Sequence, residues 1–156
     1  MAVVIYFGLS SLSWSYMITD IAAGTNNGAI VGELDNYVAY TSKASMSNSN
    51  PDSETNWVNS ILNPDVNYTV KTEKLNYYQT NGTNIFAFEL KSKPEYFVIK
   101  NSIYWALYQN VMSLDWGVFD ASALNEGFNL PDGDSWQISH VSEFSGAVSV
   151  PEPGSI

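Results

Sequence analysis

The sequence predicts an all-β domain, a β-sandwich of jelly-roll type with one short helix. Three observations carry this. Seven or more short runs rich in β-branched and aromatic residues succeed one another along 156 residues. Gly, Pro, Asn and Ser clusters break those runs at short intervals. A single segment has the spacing of an amphipathic helix. Runs of strands without alternating helices favour two packed sheets over a parallel α/β arrangement.

Residues 1–17 (MAVVIYFGLSSLSWSYM) come first. They are apolar like the h-region of a secretory leader but contain no Lys or Arg, so two readings stand: a leader, or an N-terminal strand built on Val3, Val4, Ile5, Tyr6 and Phe7. Residues 19–32 read as loop with a short strand at 29–31, and 34–40 form a second mixed run. The Ser- and Asn-rich stretch 41–53 has no apolar period and reads as an exposed loop. A helix is expected from Asp52 or Ser53, where a short oxygen-bearing side chain caps free backbone donors and Glu54 lies in the favourable first turn. Trp57, Val58, Ile61 and Leu62 give it one apolar stripe, and Asn63-Pro64 ends it.

Beyond Pro64 the signals are β. Residues 67–73 alternate, with Tyr68, Val70 and Thr72 on one face. Runs 75–80 and 83–90 flank Asn81-Gly82, the dipeptide suited to a type I′ hairpin turn. Four further runs, 95–100, 103–110, 114–120 and 136–144, complete the strands. No repeat of solenoid period and no heptads appear. One domain is expected over 1–145, followed by a spacer and terminal motif over 146–156.

Composition narrows function. An apolar fraction of 45% with five Trp and ten Tyr is enough to build a core. Sixteen acidic residues oppose six Lys, and no Arg is present, giving a formal charge of −10. Nucleic acid is therefore excluded as an expected partner, because phosphate recognition depends on clustered Lys and Arg. Cysteine is absent, which removes disulfides, thiolate catalysis and thiolate metal sites.

Few residues suggest chemistry. His140 is the single histidine and has no Gly-x-Ser-x-Gly elbow to serve, so a structural, hydrogen-bonded ring is expected. Glu89 with Glu95, or Asp115 with Asp120, supply carboxylates of the type glycosidases pair, without a motif that sets their separation. Asp132-Gly133-Asp134 offers oxygen ligands that would suit calcium, against the plainer reading of an Asp-Gly turn. Trp105, Tyr108 and Trp116 are the rings proposed as a stacking platform for sugars, against the plainer reading of core aromatics. No catalytic residue is assigned, and an enzyme is not expected.

The C-terminal Val150-Pro151-Glu152-Pro153-Gly154-Ser155 resembles the start of the PEP-CTERM sorting signal of exopolysaccharide-producing Gram-negative bacteria. The runs WQISHVSEF at 136–144, YFVIKN at 96–101 and DWGVFD at 115–120 are similar to stretches in members of that group with no assigned activity. The motif itself covers six residues. The resemblance implies an exported protein read by a membrane exosortase, with the apolar helix and Arg-rich tail that follow the motif trimmed by processing or cloning. The location it implies is the cell surface or extracellular space. The expected role is a non-enzymatic surface or biofilm-matrix component. The alternatives are a carbohydrate-binding or adhesin module for exopolysaccharide, and a fibre subunit that adds its N-terminal strand to a neighbour's sheet.

Overall fold

A computed structural model describes residues 14–46, 48–111, 115–124 and 138–146. Within them lie ten strands and one α-helix in the order β1 (Tyr16–Met17), β2 (Ile30–Gly32), β3 (Asn36–Ser42), α1 (Pro51–Asn59), β4 (Val66–Glu73), β5 (Tyr77–Gln79), β6 (Ile85–Glu89), β7 (Tyr96–Lys100), β8 (Tyr104–Gln109), β9 (Trp116–Asp120) and β10 (His140–Gly146). The fold is an all-β sandwich with one short helix. A five-stranded antiparallel sheet, ordered β3-β8-β7-β10-β4, packs on a three-stranded sheet ordered β5-β6-β9, and β1 pairs with β2 as a separate ribbon.

The central strands of both sheets are covered on both faces, which explains why β6 to β9 read as nearly unbroken apolar runs, while the edge strands β3 and β4 stay half-exposed. Between the sheets, Phe97, Ile99, Ala106, Tyr108 and Val141 meet Phe88 and Phe119. On the outer face of the large sheet, Val98, Trp105, Leu107 and Phe144 pack against Val58 of α1, with Trp57 edge-on to Trp105 at 5.8 Å. On the outer face of the small sheet, Ile85, Ala87 and Val118 pack against Ile18, Ala23 and Val31 of the β1–β2 ribbon. Consecutive residues of a strand point to opposite faces, so each central strand supplies two cores.

Helix α1 begins at Pro51, one or two residues before the expected start at Asp52 or Ser53. Asn50 is its N-cap, accepting from the Ser53 amide at 2.8 Å, and Pro51 opens the first turn, where its missing N–H costs nothing. The helix ends at Asn59, short of Pro64, and Ile61 of the expected stripe is exposed. Asn59 accounts for the early end: its side chain donates to the Val66 carbonyl at 3.0 Å and accepts from the Val66 amide at 2.9 Å.

The expected hairpin is present, with Tyr77, Tyr78 and Gln79 facing Phe88, Ala87 and Phe86. Its turn differs from the type I′ expectation. The loop has four residues, 81–84, and Asn84 rather than Gly82 takes positive φ, at 61°. Gly82 is needed for space, since a Cβ there would lie 2.6 Å from the Tyr16 ring. The expected strand at 34–40 begins later, at Asn36, and runs on through Ser42.

Candidate functional site

Three buried carboxylates, Glu54, Glu143 and Asp35, organise the polar interior. Glu54 in the first turn of α1 is 1% exposed, and there it reaches the large sheet instead of acting only on the helix terminus. It accepts from the hydroxyl of Ser142 and pairs through Oε1 with His140 Nε2 at 2.9 Å. His140 and Ser142 lie two apart on β10, so both point to the helix-covered face, and all three groups are nearly sealed from water. Composition and sequence position alone did not find this constellation, because Glu54 stands 86 residues from His140.

A histidine, a serine and a carboxylate in contact invite comparison with a nucleophilic triad. There the imidazole stands between the hydroxyl and the acid, so that it can take the hydroxyl proton. Here the carboxylate stands between the other two, and the serine donates to Glu54. The arrangement holds a helix to a sheet. His140 thus has the hydrogen-bonded ring expected from sequence.

Glu143 points to the opposite face of β10. It accepts from the Lys91 amide at 2.8 Å, the Ser92 amide at 2.7 Å and the Ser92 hydroxyl at 2.6 Å, fixing the connection between β6 and β7. Asp35, just before β3, accepts from the Val111 amide at 2.9 Å and the Val118 amide at 2.7 Å. Burial pushes its pKa up to about 7, against the lowering effect of those two amide bonds.

The other sequence candidates are dispersed. Trp105 and Tyr108 are buried, and Trp116 is half-buried. They fall in three different clusters: Trp105 under α1, Tyr108 between the sheets, and Trp116 against the ribbon. A shared stacking platform is therefore corrected to core packing. Burial raises the Tyr108 phenol well above its ordinary pKa, with smaller contributions from Tyr37, Asp120 and Asp35. Of the carboxylates considered for glycoside chemistry, Glu89 accepts from Asn26 and Asp115 pairs with Lys93 at 3.6 Å. Asp120 caps the 3-10 turn at Ala121–Ala123. Glu95 lies beside Gly146. Each has its own separate neighbour.

Among the described residues, no group of three or more His, Asp or Glu is close enough to hold a metal ion. Asp132 and Asp134, the hexapeptide at 150–155 expected to be a sorting motif, and residues 1–13 of the expected leader or strand lie outside the described residues. No described helix is long and apolar enough to cross a membrane.

One open cavity of about 190 Å³ lies where the turn after β4 meets the ends of β5 and β6, with Lys74, Asn76, Tyr78, Glu89 and Lys91 on its walls. The chain matches no family model, no curated protein and no solved structure.

Proposed function

We propose that this chain is a non-enzymatic component of the surface or extracellular matrix of a Gram-negative bacterium, exported and then sorted by an exosortase that reads residues 150–155. The hexapeptide Val150-Pro151-Glu152-Pro153-Gly154-Ser155 carries the reading. It begins four residues after β10 ends at Gly146, so a short spacer joins the sandwich to the signal. The roles of the chemically capable side chains agree with a scaffold: His140, Ser142, Glu54, Glu143 and Asp35 each bind one part of the fold to another.

The test compares the full precursor with its Glu152→Ala variant in a host with and without exosortase. Release of the unaltered protein, dependent on both Glu152 and the exosortase, supports the reading. Equal release in all four combinations refutes it.

A second reading, a self-assembling fibre subunit, is favoured by β3. This strand forms one edge of the large sheet, exposes Tyr37, Val38 and Tyr40, and carries no charged residue from 36 to 42. Exposed, uncharged edges are templates for strand addition. Electron microscopy of the purified chain, with and without residues 1–7, decides it. Filaments that vanish with the deletion support the reading, and a monomer in both samples removes it.

A further inference from the structure

Lys74 and Lys91 stand out by their surroundings. The chain has six lysines among 16 carboxylates, yet neither of these two ammonium groups has an ion-pair partner among the described residues. Both line the same cavity of about 190 Å³. With Glu89 as the one carboxylate on that wall, the lining keeps a net positive charge in a chain whose formal charge is −10, which favours an anionic ligand. Lys74 is also held at a φ of 54°, a conformation that side-chain-bearing residues seldom adopt away from positions fixed by their surroundings.

The remaining walls select among anions. Leu75, Leu90 and Tyr78 give apolar surface, and Asn76 and Glu89 give an amide and a carboxylate that match hydroxyl groups. One oxygen of Glu89 already accepts from Asn26 at 3.0 Å, which fixes that side chain in place. Thr72 lines the cavity as well, and its buried hydroxyl oxygen has no hydrogen-bond partner among the described residues. The volume is below the ~300–1,000 Å³ of sites for drug-sized ligands, so a single ring suits it better than an extended chain.

We infer that this cavity binds one carboxylated sugar ring, a hexuronate unit, with Lys74 and Lys91 on the carboxylate, Asn76 and Glu89 on the hydroxyls and Tyr78 against the ring face. The inference goes beyond the sorting reading and does not depend on it, since residues 150–155 take no part. Exposed ammonium groups bind carboxylates weakly in water, so affinity on the order of millimolar is expected, and it falls with added salt.

The experiment is a titration of the isotopically labelled chain, followed by amide chemical shifts, with glucuronate, glucose and acetate. Glucuronate should give saturable shifts confined to residues 72–78 and 89–91, with glucose and acetate at least about tenfold weaker. The Lys74→Gln/Lys91→Gln double variant should lose about tenfold or more in glucuronate affinity while keeping a dispersed spectrum. Equal response to acetate would reduce the cavity to a bare anion patch and overturn the proposal. So would equal response to glucose, or the absence of saturable shifts at these residues. The sorting test is read in a different experiment, so the two ideas fail separately.

Discussion

Tyr108 shows how a core residue can carry a group it does not use. Its ring stacks on Phe97 at 5.4 Å and meets Tyr37 edge-on at 5.7 Å, but its hydroxyl is buried with no hydrogen-bond partner among the described residues. A buried, unsatisfied hydroxyl costs about 1–3 kcal/mol. Tyr108→Phe keeps both ring contacts and removes that cost. Chemical denaturation should show the variant as stable as the wild type or more so, by up to about 1 kcal/mol; a loss of that size would show that the hydroxyl is satisfied after all. Asp35 makes the complementary case, a polar group with good partners in a costly place. Its folded pKa is raised from 3.8 to about 7, so the native state holds the proton more tightly than the unfolded chain does. Its contribution is therefore full at low pH and declines as pH rises through the window from about 4 to about 7. Relative to Asp35→Asn, the wild type should lose about 2–3 kcal/mol between about pH 5 and pH 8, at ~1.4 kcal/mol for each pKa unit. A pH-independent difference between the two proteins would contradict this. At this scale, part of the site was legible in the sequence. Positions 105 and 108 have opposite parity on one strand, which already forbids a shared face, whereas positions 140 and 142 have the same parity. The partner of those two was not legible, because nothing local relates residue 54 to residue 140.

Helix α1 is the element most dependent on a polar contact. It is nine residues long, a length at which helices in water have little stability of their own, so packing must hold it. Val58 and Trp57 supply apolar contact and Glu54 supplies the bond to β10. Glu54→Leu leaves His140 and Ser142 buried without their acceptor, at about 1–3 kcal/mol for each. The expected total is about 2–6 kcal/mol, with α1 amides exchanging before those of β7 and β8. Adding Ser142→Ala and His140→Phe should recover most of the loss, because removing every member of a buried polar group is far less harmful than removing one. If the triple variant were no more stable than the single one, the packing of Glu54 rather than its hydrogen bonds would be responsible. The helix itself was legible from Pro51, Glu54 and the Trp57-Val58 pair. Its cap and its end were not. Asn50, Asp52 and Ser53 have the same capping chemistry, so local sequence does not choose among them, and the end is set by Asn59 bonding to Val66 on the next strand. The hairpin at 81–84 has the same history: its strands follow from β propensity, while Tyr16, distant in sequence, determines why Gly82 is a glycine.

At the scale of the molecule, the fold class was legible because the central strands are buried on both faces and are correspondingly apolar, while β4 alternates as a half-exposed strand does. The strand order was not, since antiparallel pairing by itself leaves many orders open. The observed order gives β10 a position its place in the sequence does not suggest. It lies inside the large sheet, between β7 and β4, with Val141 in the inter-sheet core and Phe144 in the core beneath α1. Removing residues 147–156 leaves every described strand in place and should preserve cooperative unfolding. Ending the chain at Ser139 strips β4 of its partner, exposes both cores and frees Glu54. Against a total stability of ~5–15 kcal/mol, that loss should abolish the folded state, as seen by collapse of amide dispersion. A folded, cooperative protein ending at 139 would mean that β10 is dispensable.

The position of β10 also sets the order of events in the life of the chain. Synthesis proceeds at ~5–20 residues per second, and until residue 146 has emerged, the large sheet is open between β7 and β4 and two apolar faces stay uncovered. Until that point the nascent chain keeps the kind of apolar surface exposed that holding chaperones bind. A sandwich that cannot close until β10 arrives remains threadable up to that moment, and any machinery that moves unfolded polypeptide has that interval in which to act.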